Sequence, residues 1–365
     1  MKKKILAIDQ GEHLGGAERF FTEILSRLDS EYEIHLITSK NEQYHKLYMG
    51  SLEKIHELDL PSLKPFSLKT YREYRKTQRE LKRIIQEICP DLIISNTVRT
   101  HLLISPIAKK LKKPLIWMAH DKTFPKKILK WFLCYPRKII ICSRYIKEYF
   151  SSTGAKESQM EVVYPFGIDV RIIEELKTVS KKKYVGMVGK FIPWKGQDTF
   201  IRAVAALHNQ FSDYRFVIVG SAYEGNTESE AYFSSCQKLI SELHLGEMVT
   251  ITNKVQNLME EMASWELLVH CSNQPEPLGR VILEGMAAGC AVITSRLGGP
   301  EEIVEQGETG LLIDPTSNDL EKAMRELLSD EKLRKRLSRQ AREHIKEDYE
   351  WKGVMKRFKK ILLEI

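Results

Sequence analysis

No apolar run in this 365-residue chain reaches the length of a membrane span, because Lys or Arg interrupts every candidate. The start, Met1-Lys2-Lys3-Lys4-Ile5-Leu6-Ala7-Ile8-Asp9, is too short and too early charged for a signal peptide and reads as a first buried strand. Six cysteines (89, 134, 142, 236, 271 and 290) lack both C-x-x-C spacing and a histidine companion pattern. Reduced, mostly buried thiols in a cytoplasmic protein are therefore expected. Asp-x-Asp is absent, so no metal bridge to a diphosphate and no metal ligand set is expected. H-E-x-x-H, a P-loop lysine and a nucleophile elbow are missing too.

What is present is an ordinary globular composition, 42% hydrophobic and 29% charged, at a length that favours two domains. Charge is uneven. Residues 1–177 hold 32 Lys and Arg against 22 Asp and Glu, a net of +10; the remainder holds 25 against 27, a net of −2. A basic half points to an anionic partner, a membrane surface or a nucleic acid.

Apolar, β-rich runs alternate with longer helical patterns. Strands are expected at 5–8, 33–37, 54–58, 92–95, 115–118, 138–142 and 161–164, then at 184–188, 215–219, 249–252, 267–270, 291–294 and 310–313. Helical patterns fill most of the intervals. Continuous apolar strands separated by helices imply parallel sheets covered on both faces. The fold class is α/β, with two doubly wound Rossmann-like domains. A polar, basic stretch at 171–182 places the boundary, giving domains 1–175 and 176–347. In such sheets ligands bind at the carboxyl ends of the strands.

Four constellations fall at those ends. The stretch from Glu276 to Val304 sets two carboxylates, Glu276 and Glu284, eight positions apart around Pro277-Leu278-Gly279-Arg280. That turn opens into an apolar helix, and a second one, Gly298-Gly299-Pro300, follows a strand later. Strand-to-helix turns aim unpaired N–H groups and the positive end of a helix dipole at one point, which suits phosphate. A neighbouring carboxylate can accept from vicinal hydroxyls, so phosphate plus diol describes a nucleotide sugar. The buried-helix pattern of 281–288 leaves Glu284 unexplained, a charge where burial is expected. Lys190 and Lys195 bracket a Pro-Trp turn after the strand at 184–188 and could offset charge on a departing diphosphate. His120 stands just past a buried strand, placed to bond a sugar hydroxyl or the leaving phosphate. Gly11, Gly15 and Gly16 lie in the turn after the first strand, where backbone could approach a diphosphate, although their spacing is not G-x-G-x-x-G.

Together these residues resemble the retaining glycosyltransferases of family four, which have the GT-B fold. The resemblance spans the chain and is sharpest over 184–304: Glu276 and Glu284 match a Glu-x7-Glu element, and Gly189-Lys190 through Lys195-Gly196 match a strand-end glycine–basic element. Gly15–Glu18 matches an opening Gly-Gly-Ala-Glu turn, His120-Asp121 a His-Asp pair, and Gly167–Asp169 a Gly-Ile-Asp. The resemblance implies that the domains face a central cleft and that a helix over 349–363, within a third segment 348–365, crosses back onto the first domain. It implies that Glu284 holds the donor ribose, Glu276 sits near the transferred sugar, and Lys190 and Lys195 bind the diphosphate. Leu278, Gly279 and Arg280 contact donor sugar or phosphate through their backbone, Gly16 lies near the diphosphate, His120 near the sugar, and Val255 near the base. Two departures bear on the nucleotide: Lys190 stands where arginine is frequent and lacks its bidentate fork, and the base-side loop reads Thr252-Asn253-Lys254-Val255 without the usual glycine.

The implied reaction is retaining, metal-independent, front-face transfer of a sugar from a UDP- or GDP-sugar, with His120, Lys195 and Glu276 at the reacting centre and no cofactor beyond the donor. The acceptor is a saccharide or lipid-linked molecule in cell-surface glycan or glycolipid synthesis. Two segments of the basic half fit peripheral contact with an anionic cytoplasmic leaflet: 126–138 mixes Lys with Trp, Phe and Tyr, and 64–83 adds Lys69, Arg72, Arg75, Lys76, Arg79, Lys82 and Arg83. No aromatic-basic motif supports nucleic-acid binding. The alternatives are a non-catalytic nucleotide-sugar binding protein and a nucleotide-sugar epimerase of the same fold. Pocket shape in the loops at 9–16, 96–101, 120–125 and 220–228 would decide the sugar, base and acceptor.

Overall fold

The computed structural model describes residues 2–10, 15–41, 45–46, 48, 54–61, 67–122, 125–253 and 255–365. The chain divides into two compact units, Met1–Pro165 with Val354–Ile365, and Phe166–Gly353.

In the first unit seven parallel strands form one sheet: β1 (Lys3–Ile8), β2 (Tyr32–Thr38), β3 (Lys54–Glu57), β4 (Leu92–Ser95), β5 (Leu115–Ala119), β6 (Lys138–Ile141) and β7 (Met160–Val162), in the order β3-β2-β1-β4-β5-β6-β7. Runs such as Ile139-Ile140-Ile141 are buried throughout, as strands covered on both faces must be. The cover comes from α1 (Gly16–Leu28), α2 (Leu68–Ile88), α3 (Val98–Lys110), α4 (Lys126–Phe132) and α5 (Arg144–Ser151). Local chemistry starts them: the Ser67, Thr97 and Ser143 hydroxyls accept from the N–H of Thr70, Thr100 and Ile146. One apolar cluster joins Leu6, Ile8 and Ile93 to α2 and α3, and another packs Trp117, Ile139 and Ile141 with α4 and α5.

The second unit repeats the plan with β8 (Lys182–Val188), β9 (Arg215–Val219), β10 (Val249–Thr252), β11 (Trp265–His270), β12 (Ala291–Ser295) and β13 (Leu311–Ile313), all parallel, in the order β10-β9-β8-β11-β12-β13. Its helices are α6 (Val170–Leu176), α7 (Gln197–Leu207), α8 (Thr227–Glu242), α9 (Leu258–Ala263), α10 (Arg280–Ala288), α11 (Pro300–Ile303), α12 (Ser317–Ser329) and α13 (Glu331–Tyr349). In each sheet the order reverses beside the first strand, at β1/β4 and at β8/β11. Loops leaving those strands part to opposite sides, so their carboxyl ends are where a ligand fits.

The division falls at Pro165/Phe166 rather than at 175/176, and the stretch expected as a linker contains a helix. The cause is packing. Ile173 and Leu176 of α6 are buried, the Phe166 ring lies 6.1 Å from that of Tyr349, and Ile168 donates to the Tyr349 carbonyl. α14 (Trp351–Leu363) begins in the second unit, and from Val354 onward its contacts lie with the first. Arg137 donates to the Ile365 carbonyl, Lys138 pairs with Glu364, and Lys359 pairs with Glu31. Of the segment 126–138, read as interfacial, residues 126–132 are helical. Among the described residues no helix is long and apolar enough to cross a membrane. All six cysteines are free; Cys89 and Cys134 are exposed and the other four buried.

Candidate functional site

The switch point of the second sheet gathers most of the expected residues. After β8 the chain makes a single 3-10 turn, Pro193–Lys195, before α7; after β11 it runs from Cys271 to Gly279 before α10. The two loops are tied together, since Asn273 donates its backbone N–H to the Trp194 carbonyl at 2.8 Å and its side-chain amide to the Pro193 carbonyl at 3.2 Å. A third loop, after β12, closes on the second, with the Gly299 N–H on the Glu276 carbonyl at 2.9 Å. A Cβ at Gly299 would come within 2.4 Å of Leu278 Cα, so this approach needs a residue without a side chain. Gly279, at φ +88°, caps α10 in the left-handed region, again a glycine position.

At the centre, Lys195 Nζ lies 2.7 Å from both carboxylate oxygens of Glu276. His270, the last residue of β11, places Nε2 2.6 Å from Glu276 Oε2, and the Ser272 hydroxyl donates to the same oxygen at 3.1 Å. A carboxylate only accepts, so His270 Nε2 carries the proton; its Nδ1 faces the Thr294 hydroxyl at 3.0 Å. Burial alone would raise the Glu276 pKa. The charges and hydrogen bonds of Lys195 and His270 outweigh it and hold the carboxyl well below the usual range. Glu276 is thus a saturated carboxylate with no proton to give, which does not suit a general acid.

The flanking groups are equally engaged. Lys190 Nζ donates to the Ser221 hydroxyl at 2.7 Å and lies 5.2 Å from the centre of the Tyr223 ring. Gln197, fully buried at the start of α7, donates to the Lys190 carbonyl at 3.0 Å. Glu284, one turn into α10 and 13% exposed, accepts from Arg280 Nε at 2.9 Å. The Arg280 guanidinium sits 5.6 Å from the centre of the Phe166 ring. Leu278 is buried, and Val255 is half-buried in the turn after β10. Lys254 beside it lies outside the described residues, as do Gly11, Glu12, His13 and Leu14 of the opening loop.

The first unit holds a second polar network at its own switch point. Asp9 follows β1, Asn96 follows β4, and both are fully buried. The Asn96 amide donates to Asp9 Oδ2 at 2.9 Å, leaving its oxygen to accept from His120 Nε2 at 2.9 Å. This chain fixes the imidazole as the Nε2–H form. His120 Nδ1 is buried and has no partner among the described residues. Desolvation pushes the His120 pKa down to about 4, so the ring is neutral at pH 7. Gly16 is exposed at the first position of α1, where Gly15 donates its N–H to Glu18 at 3.0 Å. Burial, with the Asp9 carboxylate adding, raises the Glu18 pKa to about 7.

His270, Ser272, Thr294 and Asn96 escaped the sequence reading. A signal existed: His270 ends an apolar strand and pairs in register with Thr294 on the next, so two polar residues meet at a carboxyl edge.

Comparison with known proteins identifies the family. The family description "Glycosyl transferases group 1" matches residues 170–344, and "Glycosyltransferase Family 4" matches residues 14–171. The chain belongs to the group 1, family 4 glycosyltransferases. Among relatives, an uncharacterized glycosyltransferase of Methanocaldococcus jannaschii is 23% identical over 96% of this chain and 95% of its own. A GDP-mannose-dependent alpha-(1-6)-phosphatidylinositol monomannoside mannosyltransferase of Mycolicibacterium smegmatis is 26% identical over 59% of each chain. Among solved structures, Anabaena HepE in complex with UDP superposes with a TM-score of 0.83 at 23% identity, covering all of both chains. This glycosyltransferase therefore has the GT-B fold.

Proposed function

We propose that this glycosyltransferase moves a sugar, with retention, from a UDP- or GDP-sugar to a saccharide or lipid-linked acceptor in cell-surface glycan or glycolipid synthesis, without a metal ion. The observation that carries the reading is the Lys195–Glu276 pair beside the amino end of α10, one turn from Glu284. Cation, helix N-terminus and carboxylate lie on connected loops of one sheet edge, where diphosphate, sugar and ribose of one donor would be gripped. UDP in HepE and GDP-mannose in the mannosyltransferase are the nucleotides that structural and sequence relatives name.

Positioning and charge do the catalytic work. The diphosphate oxygens draw Lys195 away from Glu276 and engage Lys190 as the leaving group gains charge. Glu276, still held by His270 and Ser272, then offers an oxygen to a sugar hydroxyl rather than acting as a nucleophile. The acceptor attacks from the face the nucleotide leaves, and the departing phosphate takes its proton. His120, neutral and with Nε2 committed to Asn96, accepts from a sugar hydroxyl through Nδ1. Gly16 approaches the diphosphate and Val255 the base.

Peripheral attachment to an anionic leaflet is part of the proposal. Trp131 is 77% exposed on α4 among Lys127 and Lys130, and Leu68 is 81% exposed on α2 beside Lys69. Co-sedimentation with anionic liposomes at low salt is expected, and its absence contradicts attachment.

Incubation with a panel of UDP-, GDP- and ADP-sugars tests the main reading. Slow release of free nucleotide from a UDP- or GDP-sugar without acceptor is expected. Binding with no turnover on any acceptor would leave a binding protein instead.

A further inference from the structure

We propose a second anion site in the second unit, at the amino ends of its strands, built for a phosphate-bearing ligand. A groove of about 610 Å³ opens there, where Lys181 precedes β8, Glu266 lies at the start of β11, Gly289 precedes β12, and α13 forms the wall. Six Lys and Arg side chains line it against three Glu, a surplus of three positive charges.

The pairing inside the groove shows which charges are left over. Glu266 is taken by Arg334 at 3.1 Å and by the Tyr214 hydroxyl at 2.7 Å, Glu331 by Lys335, and Glu343 by Lys346 at 3.3 Å. Lys177 pairs with Glu174 at 2.9 Å. Lys181, Arg339 and Arg342 remain without a carboxylate contact among the described residues. Lys181 donates to the Trp265 carbonyl at 2.6 Å, and Arg342 donates to the Ala287 and Ala288 carbonyls at 3.4 and 2.9 Å. Carbonyls satisfy N–H groups but do not cancel charge. Burial is the largest effect and lowers the pKa of both Lys181 and Arg342; the Arg342 charge lowers that of Lys181 further, while Cys290 and Glu266 at Lys181, and Cys290, Glu174 and Glu343 at Arg342, offset only part of it. Like charges held together in a concave, partly desolvated place gain most from an anion between them. The Arg339 guanidinium fork, the second terminal nitrogen of Arg342 and the remaining N–H groups of Lys181 offer more donors than one carboxylate can accept, and a phosphoryl group with three oxygens matches them.

The groove lies at the opposite strand ends from Lys195 and Glu276, so the proposal does not rest on the donor reading. Titration of the full chain with inorganic pyrophosphate by calorimetry tests it. Expected is a binding event that K181Q/R339Q weakens at least tenfold and that K190Q, at the candidate donor site, alters less than twofold. K181R should restore most of the affinity lost in K181Q, which separates a charge effect from misfolding. Pyrophosphate binding that is absent, or unchanged in K181Q/R339Q, overturns the site. Glycerol 3-phosphate and phosphatidate vesicles, titrated in parallel, then tell whether the groove takes a soluble phosphate ester or a lipid headgroup.

Discussion

Lys195 and Glu276, 81 positions apart in sequence, meet through both carboxylate oxygens at 2.7 Å, and each side chain is nearly buried. They come from loops after β8 and β11, the two strands that flank the switch point of one parallel sheet. Such a pair is neither a free diphosphate binder nor a free base. If Lys195 binds the donor diphosphate as proposed, the donor must open this closed contact, and His270 and Ser272 would keep Glu276 hydrogen-bonded after Lys195 leaves.

If Glu284 grips the ribose diol, E284A should weaken UDP or GDP binding by about 1.5–3 kcal/mol, on the order of 10–100-fold. Calorimetry with the nucleotide and its 2′-deoxy form checks this. The deoxy form should bind the native protein more weakly and E284A no differently. Equal nucleotide affinity in the two proteins contradicts the assignment.

His120 should stay neutral across the working range. Its pKa near 4 and the Asn96–Asp9 chain predict an Nε2–H tautomer with no titration between pH 5.5 and 8. Long-range nitrogen–proton NMR reads the tautomer and the midpoint directly. A midpoint above 6, or an Nδ1–H tautomer, contradicts the network.

Glu18 sets a pH dependence of stability. Burial and the nearby Asp9 carboxylate raise its folded pKa to about 7, above the ordinary glutamate value near 4.5. The folded state therefore binds a proton the unfolded chain has released. Stability is fullest below pH 4.5 and declines as pH rises through 7, by about 1–3 kcal/mol. E18Q lacks that slope, so the stability of the native protein relative to E18Q should fall by this amount as pH rises from 4.5 to 8. Parallel curves from pH 4.5 to 8 exclude this role for Glu18.

G299A should be destabilising despite the ordinary helical φ at this position. Its Cβ would lie 2.4 Å from both Leu278 Cα and the Pro277 oxygen. Overpacking of this kind costs about 2–3 kcal/mol and would pry apart the loops that hold Glu276. Chemical denaturation measures it, and a variant as stable as the native protein would show that the contact relaxes freely.

Much of this was legible because parallel strands covered on both faces are written as unbroken apolar runs: Leu92-Ile93-Ile94 and Leu267-Leu268-Val269 announce themselves. α6 did not, being seven residues long inside a polar stretch, with only Ile173 and Leu176 turned inward. Glu276, Lys190 and Lys195 stood out in their strand-end loops, and Glu284 as a charge on an otherwise apolar helix. That Lys195 and Glu276 satisfy each other was not, since pairing depends on how two loops 81 residues apart are held together. The same holds for Asp9, Asn96 and His120, which are ordinary polar residues until the sheet order sets β1, β4 and β5 side by side.

The exchange at Lys195 is tested most directly by UDP affinity in E276Q and K195A, measured beside sugar transfer. With the carboxylate charge removed, Lys195 is released to the diphosphate. E276Q should bind UDP at least as tightly as the native protein while losing turnover, and K195A should lose both. UDP binding that falls in E276Q as far as in K195A would contradict an ion pair that the donor must open.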